Sequence, residues 1–253
     1  MNLQELLPNI EKKNEIFVTA HRGANAECPE NTILSFKTAI DIGADLIEMD
    51  IHKSRDDQII VMHDGNTRRT SNISLNISES TLDELKKADL GEGQTIPILD
   101  EVFENFKGKV GFVIEIKAKG LTNLLKQKIE DYNLSKDCII ISFKHGELKK
   151  FRKISPDVPI AALNPSRSGW LSSWFFRKGV INRVKKMGFE GTHPFHKLVD
   201  DQMVIYAHSN NIFVNPWTVD NIDRWKELLA MKVDGITTND PRNLIKLLSD
   251  IEK

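Results

Sequence analysis

Short β-rich runs alternate with amphipathic helical stretches almost from one end of this chain to the other. The strand candidates are 17–20, 46–51, 59–62, 111–116, 138–142, 160–163, 189–193, 212–215 and 234–237. Helical patterns at 32–42, 121–132, 147–154, 180–187, 200–210 and 221–231 lie between them. Such alternation predicts parallel strands joined by crossover helices. If 59–62 is only the return arm of a hairpin, eight parallel strands remain, and 253 residues is the size of a (β/α)8 barrel. An open doubly wound sheet is disfavoured, because no Gly-rich phosphate turn follows the first strand. The expected fold is therefore a TIM barrel with a small hairpin or loop insertion after the second strand. No linker or low-complexity tract interrupts the pattern, so a single domain is expected over residues 1–253.

Charge narrows the functional classes. Lys and Arg total 35 against 36 for Asp and Glu, a net charge of −1, which gives no electrostatic footprint for nucleic acid. Cys28 and Cys138 form no CxxC pair, so a disulfide framework is not expected and the count fits a reducing compartment. The opening Met1-Asn2-Leu3-Gln4-Glu5-Leu6-Leu7-Pro8 has no basic start and no long apolar stretch, unlike a secretory signal. No run approaches the roughly 18 apolar residues of a membrane span. A soluble, cytoplasmic protein is the expectation.

The alternating stretch Leu46-Ile47-Glu48-Met49-Asp50-Ile51 puts Ile47, Met49 and Ile51 on one face and both carboxylates on the other. Two acids side by side repel, and burying them is costly unless a cation neutralises them. The run that returns from Gln58 ends in His63-Asp64. With a turn centred on Asp56-Asp57, Asp50 and His63 would face one another. A surface hairpin with solvated acids is the alternative.

In a barrel, active sites sit at the C-terminal ends of the strands. The residues expected there are His21-Arg22, Glu48 and Asp50, Glu115 and Lys117, Ser142-Phe143, Asn164, His193, Trp217 and Thr237-Thr238. Glu115 and Lys117 repeat the i, i+2 spacing and share a side of their strand, either as part of a site or as a plain ion pair. Three carboxylates with no Cys or His-rich cluster suggest one oxygen-loving divalent cation, Mg²⁺ or Ca²⁺. Arg22 and Lys117 are placed to hold a phosphate oxygen. His21 and His63 flank the acids, and imidazoles suit proton transfer to and from oxygen at neutral pH.

His21-Arg22-Gly23, followed after five residues by Pro29-Glu30-Asn31-Thr32, resembles the opening signature of the glycerophosphodiester phosphodiesterases. Glu48-Met49-Asp50 with His63-Asp64, Glu115-Ile116-Lys117 and Trp217-Thr218-Val219 resemble that family's later signatures, in order. Ile96-Pro97-Ile98-Leu99-Asp100-Glu101 and Gly235-Ile236-Thr237-Thr238-Asn239-Asp240-Pro241 also match. The resemblance implies a metal-dependent barrel enzyme that hydrolyses small glycerophosphodiesters, deacylated phospholipids, to glycerol 3-phosphate and an alcohol. It implies His21 and His63 as the acid/base pair and Glu48, Asp50 and Glu115 as metal ligands. Arg22 and Lys117 would lie on the phosphate, with Trp217 near the glycerol or simply filling core. Action on lysophospholipids, or release of a cyclic phosphate, is the alternative with the same site. A barrel turned binding protein is a third reading. The family usually has Gly where Asp57 stands, and Asn239 and Pro216 are also departures.

Asn31 and Thr32 read as architecture, either one capping the helix that follows. The stretch 165–180 carries Trp170 and Trp174, Leu171 and Phe175, Phe176, Arg167, Arg177 and Lys178. Packing against the barrel helices and weak contact with a membrane surface are both open to it. Neither the alcohol leaving group nor the oligomeric state is legible.

Overall fold

The structure, a computed structural model, describes residues 3–164 and 173–251. A short helix α1 (Leu3–Leu6) precedes β1 (Phe17–Ala20), α2 (Ile33–Ile42), β2 (Leu46–Lys53) and β3 (Ile59–Val61). Then come α3 (Leu82–Leu85), α4 (Leu99–Phe106), β4 (Gly111–Ile116), α5 (Thr122–Asp131), β5 (Cys138–Ser142), α6 (His145–Ile154) and β6 (Ile160–Asn164). The chain ends with α7 (Trp174–Met187), β7 (Gly191–Pro194), α8 (Asp201–Ser209), β8 (Phe213–Val214), α9 (Ile222–Ala230), β9 (Gly235–Thr238) and α10 (Pro241–Ile251). The expected helix at 180–187 thus begins earlier, at Trp174, with Ser173 accepting from the Phe176 N–H as its cap. Helices α4 and α10 add to those expected. In α4, Leu99, Val102, Phe103 and Phe106 are buried at the spacing of one helix face.

The strands line up as β8-β7-β6-β5-β4-β2-β1-β9, with every pairing along this path parallel. The seam between β8 and β9 is bridged where Asp234 N–H donates to Val214 O at 3.0 Å and Thr237 N–H to Pro216 O at 2.9 Å. Strand β8 is short because Pro216 has no N–H to continue a ladder. The result is a nearly closed, eight-stranded parallel barrel with helices outside, the TIM-barrel fold expected.

Alternation along each strand sorts the core into two. Outward-facing residues such as Val18, Ile47, Ile114, Ile140 and Ile236 pack under the helices. Inward-facing Phe17, Leu46, Val113, Ile139, Leu163 and Phe213 fill the barrel, and Leu3, Leu7 and Ile10 close its lower end. Each fully buried side chain of this size contributes about 1.5–3 kcal/mol. Gly191 leaves room for Phe213, since a Cβ there would collide with the ring. Among the described residues, no helix is long and apolar enough to cross a membrane.

One register differs from expectation. Strand β3 runs antiparallel to β2 with Ile51 opposite Val61, so Met62 and not His63 faces Asp50, its N–H donating to Asp50 O at 2.9 Å. The loop explains the one-residue slip. Arg55, Asp56 and Asp57 form it, closed by Ser54 N–H to Gln58 O at 3.0 Å, and Asp57 takes the third position at φ +61°. That left-handed position favours glycine, which is why Asp57 misled the reading of the turn. The insertion is also more than a hairpin, for Ile60, Met62, Ile77, Leu85 and Ile96 build a small core of their own.

Candidate active site

Strands β2 and β4 are parallel neighbours with Asp50 directly beside Glu115. Glu48 lies two residues back, on the same inward face. Oxygens of the three carboxylates lie within 4.8 Å of one another, and all three residues are buried. Arg22 Nε stands 3.3 Å from Asp50 Oδ2, and Lys117 Nζ stands 3.5 Å from Asp50 Oδ1 and 3.3 Å from Glu115 Oε1. Lys117 is therefore shared between two acids, not the partner of Glu115 alone.

Two cations do not balance three buried acids. Burial, with Asp50 and Glu115 nearby, pushes the Glu48 carboxyl well above its ordinary range. Burial and Asp50 push Glu115 up to about 8. Burial opposes ionisation of Asp50 as well, but Lys117 and Arg22 outweigh it and hold that group at about 2. Asp50 Oδ1 is buried with no hydrogen-bond partner. A hard divalent cation fits this all-oxygen donor set, relieving the repulsion and engaging an oxygen that no hydrogen bond satisfies.

The loop after β1 is shaped by backbone. Arg22 at φ +57° and Gly23 at φ +81° turn the chain sharply, and a Cβ on Gly23 would collide with Ser35. The turn aims Arg22 N–H at Glu48 Oε2, 3.0 Å away, and its guanidinium at Glu30 Oε1, also 3.0 Å. Thr32 caps α2, accepting from Ser35 N–H. Asn31 does something else. Buried at φ +55°, it donates from Nδ2 to Asp50 Oδ2 at 3.0 Å and accepts from Asp50 N–H at 3.3 Å. Its reading as architecture is thus incomplete: it clamps a carboxylate of the cluster.

The two histidines are held differently. Asn239 Nδ2 donates to Asp220 Oδ2 at 2.6 Å, and Asn25 donates to Asn239 Oδ1 at 2.8 Å, which fixes the amide orientation. Asn239 Oδ1, 2.7 Å from His21 Nδ1, therefore accepts that N–H and leaves Nε2 as the basic nitrogen. Burial and Arg22 hold His21 down at about 4, so its ring is neutral near pH 7. His63 Nδ1 instead faces Asp64 Oδ1 at 2.6 Å, a carboxylate that accepts its N–H. Asp64 Oδ2 accepts from Arg69 Nε at 2.8 Å, and Arg69 reaches Glu30 at 2.7 Å. A chain of charge-assisted contacts thus ties the insertion to the loop of Arg22.

A cavity of about 140 Å³ opens among these groups. His21, Arg22, Glu48, His63, Glu115 and Lys117 line one side; Ile141, Phe143, Leu163 and Trp217 line the other. Trp217 Nε1 donates to His193 O at 2.8 Å, and its ring meets Phe143 edge-on at 5.3 Å. Seven of the eight residues singled out for chemistry line the cavity, Asp50 being the exception.

Residues 21–243 match the profile of the glycerophosphoryl diester phosphodiesterase family. The chain belongs to that family. It is 34% identical over 245 residues to the glycerophosphodiester phosphodiesterase of Caldanaerobacter subterraneus subsp. tengcongensis, covering 91% of this chain and 97% of the relative. Its fold is similar to the crystal structure of a glycerophosphodiester phosphodiesterase from Parabacteroides distasonis, with a TM-score of 0.81, 26% identity and coverage of 96% and 100%. A phosphodiesterase of Oleispira antarctica, solved with the product sn-glycerol-3-phosphate, shares the fold at TM-score 0.80 and 22% identity, with coverage of 97% and 99%. The chain is accordingly an enzyme, a hydrolase of glycerophosphodiesters.

Some strand-end residues prove to be structural in this family member. Ser142 Oγ donates to Ile116 O at 2.7 Å and Asn164 Nδ2 to Thr192 Oγ1 at 2.7 Å, both within the barrel wall. Asn31, Arg69 and Asn239 are not legible as site residues, because Asp50, Glu30 and His21, which they touch, lie 19, 39 and 218 residues away. Of the aromatic stretch, residues 165–172, with Arg167, Trp170 and Leu171, lie outside the described residues. Trp174 packs edge-on against Tyr206 at 5.4 Å, Arg177 pairs with Asp200 at 2.6 Å, and Phe175 is 84% exposed.

Proposed function

We propose that Glu48, Asp50 and Glu115 bind one divalent cation, Mg²⁺ or Ca²⁺, and that a small glycerophosphodiester lies across the cavity with its phosphate on Arg22 and Lys117. The cation would supply charge neutralisation and Lewis-acid polarisation of the phosphate when bound. His21 Nε2 takes the proton of the attacking oxygen, being desolvated and neutral. His63, backed by Asp64, gives a proton to the departing alkoxide. With water as attacker, the P–O bond to the alcohol breaks and glycerol 3-phosphate and the free alcohol leave. Trp217 closes the apolar side against the glycerol carbons. The product bound to the Oleispira antarctica relative supports a substrate of this size.

The observation that carries this reading is the convergence of three clustered buried carboxylates, two cationic side chains and two histidines at one cavity. The described strands form one sheet, which supports a single domain over 1–253. The unpaired Cys28 and Cys138 support a reducing, cytoplasmic setting. The test is glycerol 3-phosphate release from glycerophosphocholine, with EDTA and with Mg²⁺ or Ca²⁺ added back. Full release in EDTA refutes the metal assignment. Faster turnover of lysophosphatidylcholine, or a cyclic phosphate as the end product, replaces the substrate or the step.

A further inference from the structure

His193 stands at the end of β7, four strands from β2 in either direction around the barrel and hence across the mouth from Glu48 and Asp50. It lines the same cavity, yet the chemistry above gives it no part. It is 2% exposed, and its Nε2 is buried with no hydrogen-bond partner. Its other polar atoms are engaged. The carbonyl accepts from Trp217, and Nδ1 lies 3.3 Å from Asn215 Nδ2, which also donates to Thr237 Oγ1 at 2.8 Å. With Asn215 Nδ2 as the donor, Nδ1 is the acceptor and the ring proton resides on Nε2. Burial holds this imidazole down at about 3, so it stays neutral. A buried N–H with nothing to donate to destabilises the protein unless a ligand or water accepts it.

Away from the acidic cluster, the barrel wall around it divides into a polar and an apolar part. His193, Thr237 and Thr19 come from β7, β9 and β1 and Asn215 directly follows β8, while Val113, Ile141 and Leu163 come from β4, β5 and β6. A phosphate held at β2 and β4 sends the rest of its ester across this space. Glycerol presents hydroxyls that the polar wall can bond and methylenes that the apolar wall can cover.

We infer that His193 Nε2–H donates a hydrogen bond to a glycerol hydroxyl and so selects glyceryl over hydroxyl-free phosphate esters. The inference rests on the function proposed above but is tested separately from it. Calorimetric titration of glycerol 3-phosphate and of n-propyl phosphate measures hydroxyl recognition without chemistry. In wild-type protein glycerol 3-phosphate should bind tighter by on the order of tenfold. His193→Leu should bring the ratio close to one, and His193→Gln, which keeps an N–H donor, should restore part of it. An undiminished ratio in His193→Leu, or no preference in wild type, overturns the inference. Should His193→Leu fail to fold, the ¹⁵N-labelled wild type decides: the His193 Nε2 resonance must shift with glycerol 3-phosphate and not with propyl phosphate. Loss of glycerophosphocholine turnover in wild type, with hydroxyl recognition intact, would instead strike only the function.

Discussion

Asn31 offers the sharpest test of how the acidic cluster is held. It combines a left-handed backbone at φ +55° with two hydrogen bonds to Asp50, of 3.0 and 3.3 Å. Asn31→Ala removes both bonds, one of them to a carboxylate that Lys117 and Arg22 keep ionised. A hydrogen bond to a charged group is worth about 1.5–3 kcal/mol. Alanine also bears the left-handed conformation, at about 1–2 kcal/mol. The expected loss is about 3–4 kcal/mol in all. Asn31→Gly loses the same bonds without the steric cost, but glycine's freer unfolded chain returns about 0.4–1 kcal/mol of destabilisation. Glycine should therefore lose about 2–3 kcal/mol, roughly 1 kcal/mol less than alanine.

Urea unfolding followed by circular dichroism, with EDTA present in every sample, separates these numbers from cation binding. The order should be wild type, then Asn31→Gly, then Asn31→Ala, with unchanged m values. Equal losses for the two variants would refute the backbone part of the argument. A loss below about 0.5 kcal/mol in either, the range of surface substitutions, would refute the clamp itself. Calcium or magnesium titration of the same variants should show weaker binding, because Asp50 is no longer oriented.

Other outcomes follow from the same geometry. Glu115→Gln removes one of three crowded acids, so it should raise the melting temperature in EDTA while weakening cation affinity about tenfold or more; unchanged affinity removes Glu115 from the ligand set. His21→Ala and His63→Ala should each lower turnover by about 10²-fold or more with the fold intact. Asn239→Asp places a carboxylate on His21 Nδ1, opposing the burial that holds the ring at about 4, and should move the acidic limb of kcat/KM to higher pH. An unmoved limb would separate His21 from that limb. His208 is raised above 6.5 chiefly by its 2.8 Å bond to Asp234. Its stabilisation is complete below 6.5 and is lost as pH rises through the folded-state value, so His208→Gln should flatten the melting profile there. Weak contact with anionic vesicles through Phe175 and Phe176 should appear as co-sedimentation at low salt that Phe175→Ser abolishes; wild type that stays in the supernatant leaves the segment as packing.

What the sequence discloses here depends on how far apart interacting residues lie. Strands β1, β4 and β5 appear with their bounds intact, because β-branched runs mark buried parallel strands without reference to anything distant. Glu48 and Asp50 are legible for the same reason, as period-2 alternation is local. The bond of His21 to Asn239 spans 218 residues and that of Asn31 to Asp50 spans 19, and no periodicity connects either pair. The hairpin register failed on a single backbone angle, since Asp57 fills a position that composition assigns to glycine.

The charged residues of the family signatures that border the cavity fall on β1, β2, β4 and the loops that follow them, whereas the uncharged Trp217 follows β8. On the binding mode proposed above, every diester of this class would present the same phosphate to that half of the mouth, so those residues would fix the reaction without fixing the substrate. The other half is built from Ile141, Phe143, Leu163, His193 and Trp217, on β5 to β8 or just beyond them. On the binding mode proposed above, its side chains meet the organic groups of the ester and not the phosphate. On that reading discrimination would reside mainly opposite the proposed catalytic groups, and substitutions there should alter relative affinities more than the rate of bond cleavage. The closed floor at His193 suits the glyceryl end, and the exposed rim at Phe143 suits the variable alcohol. An enzyme arranged in this way can change its leaving group by altering the rim, with the carboxylates and both histidines kept in place.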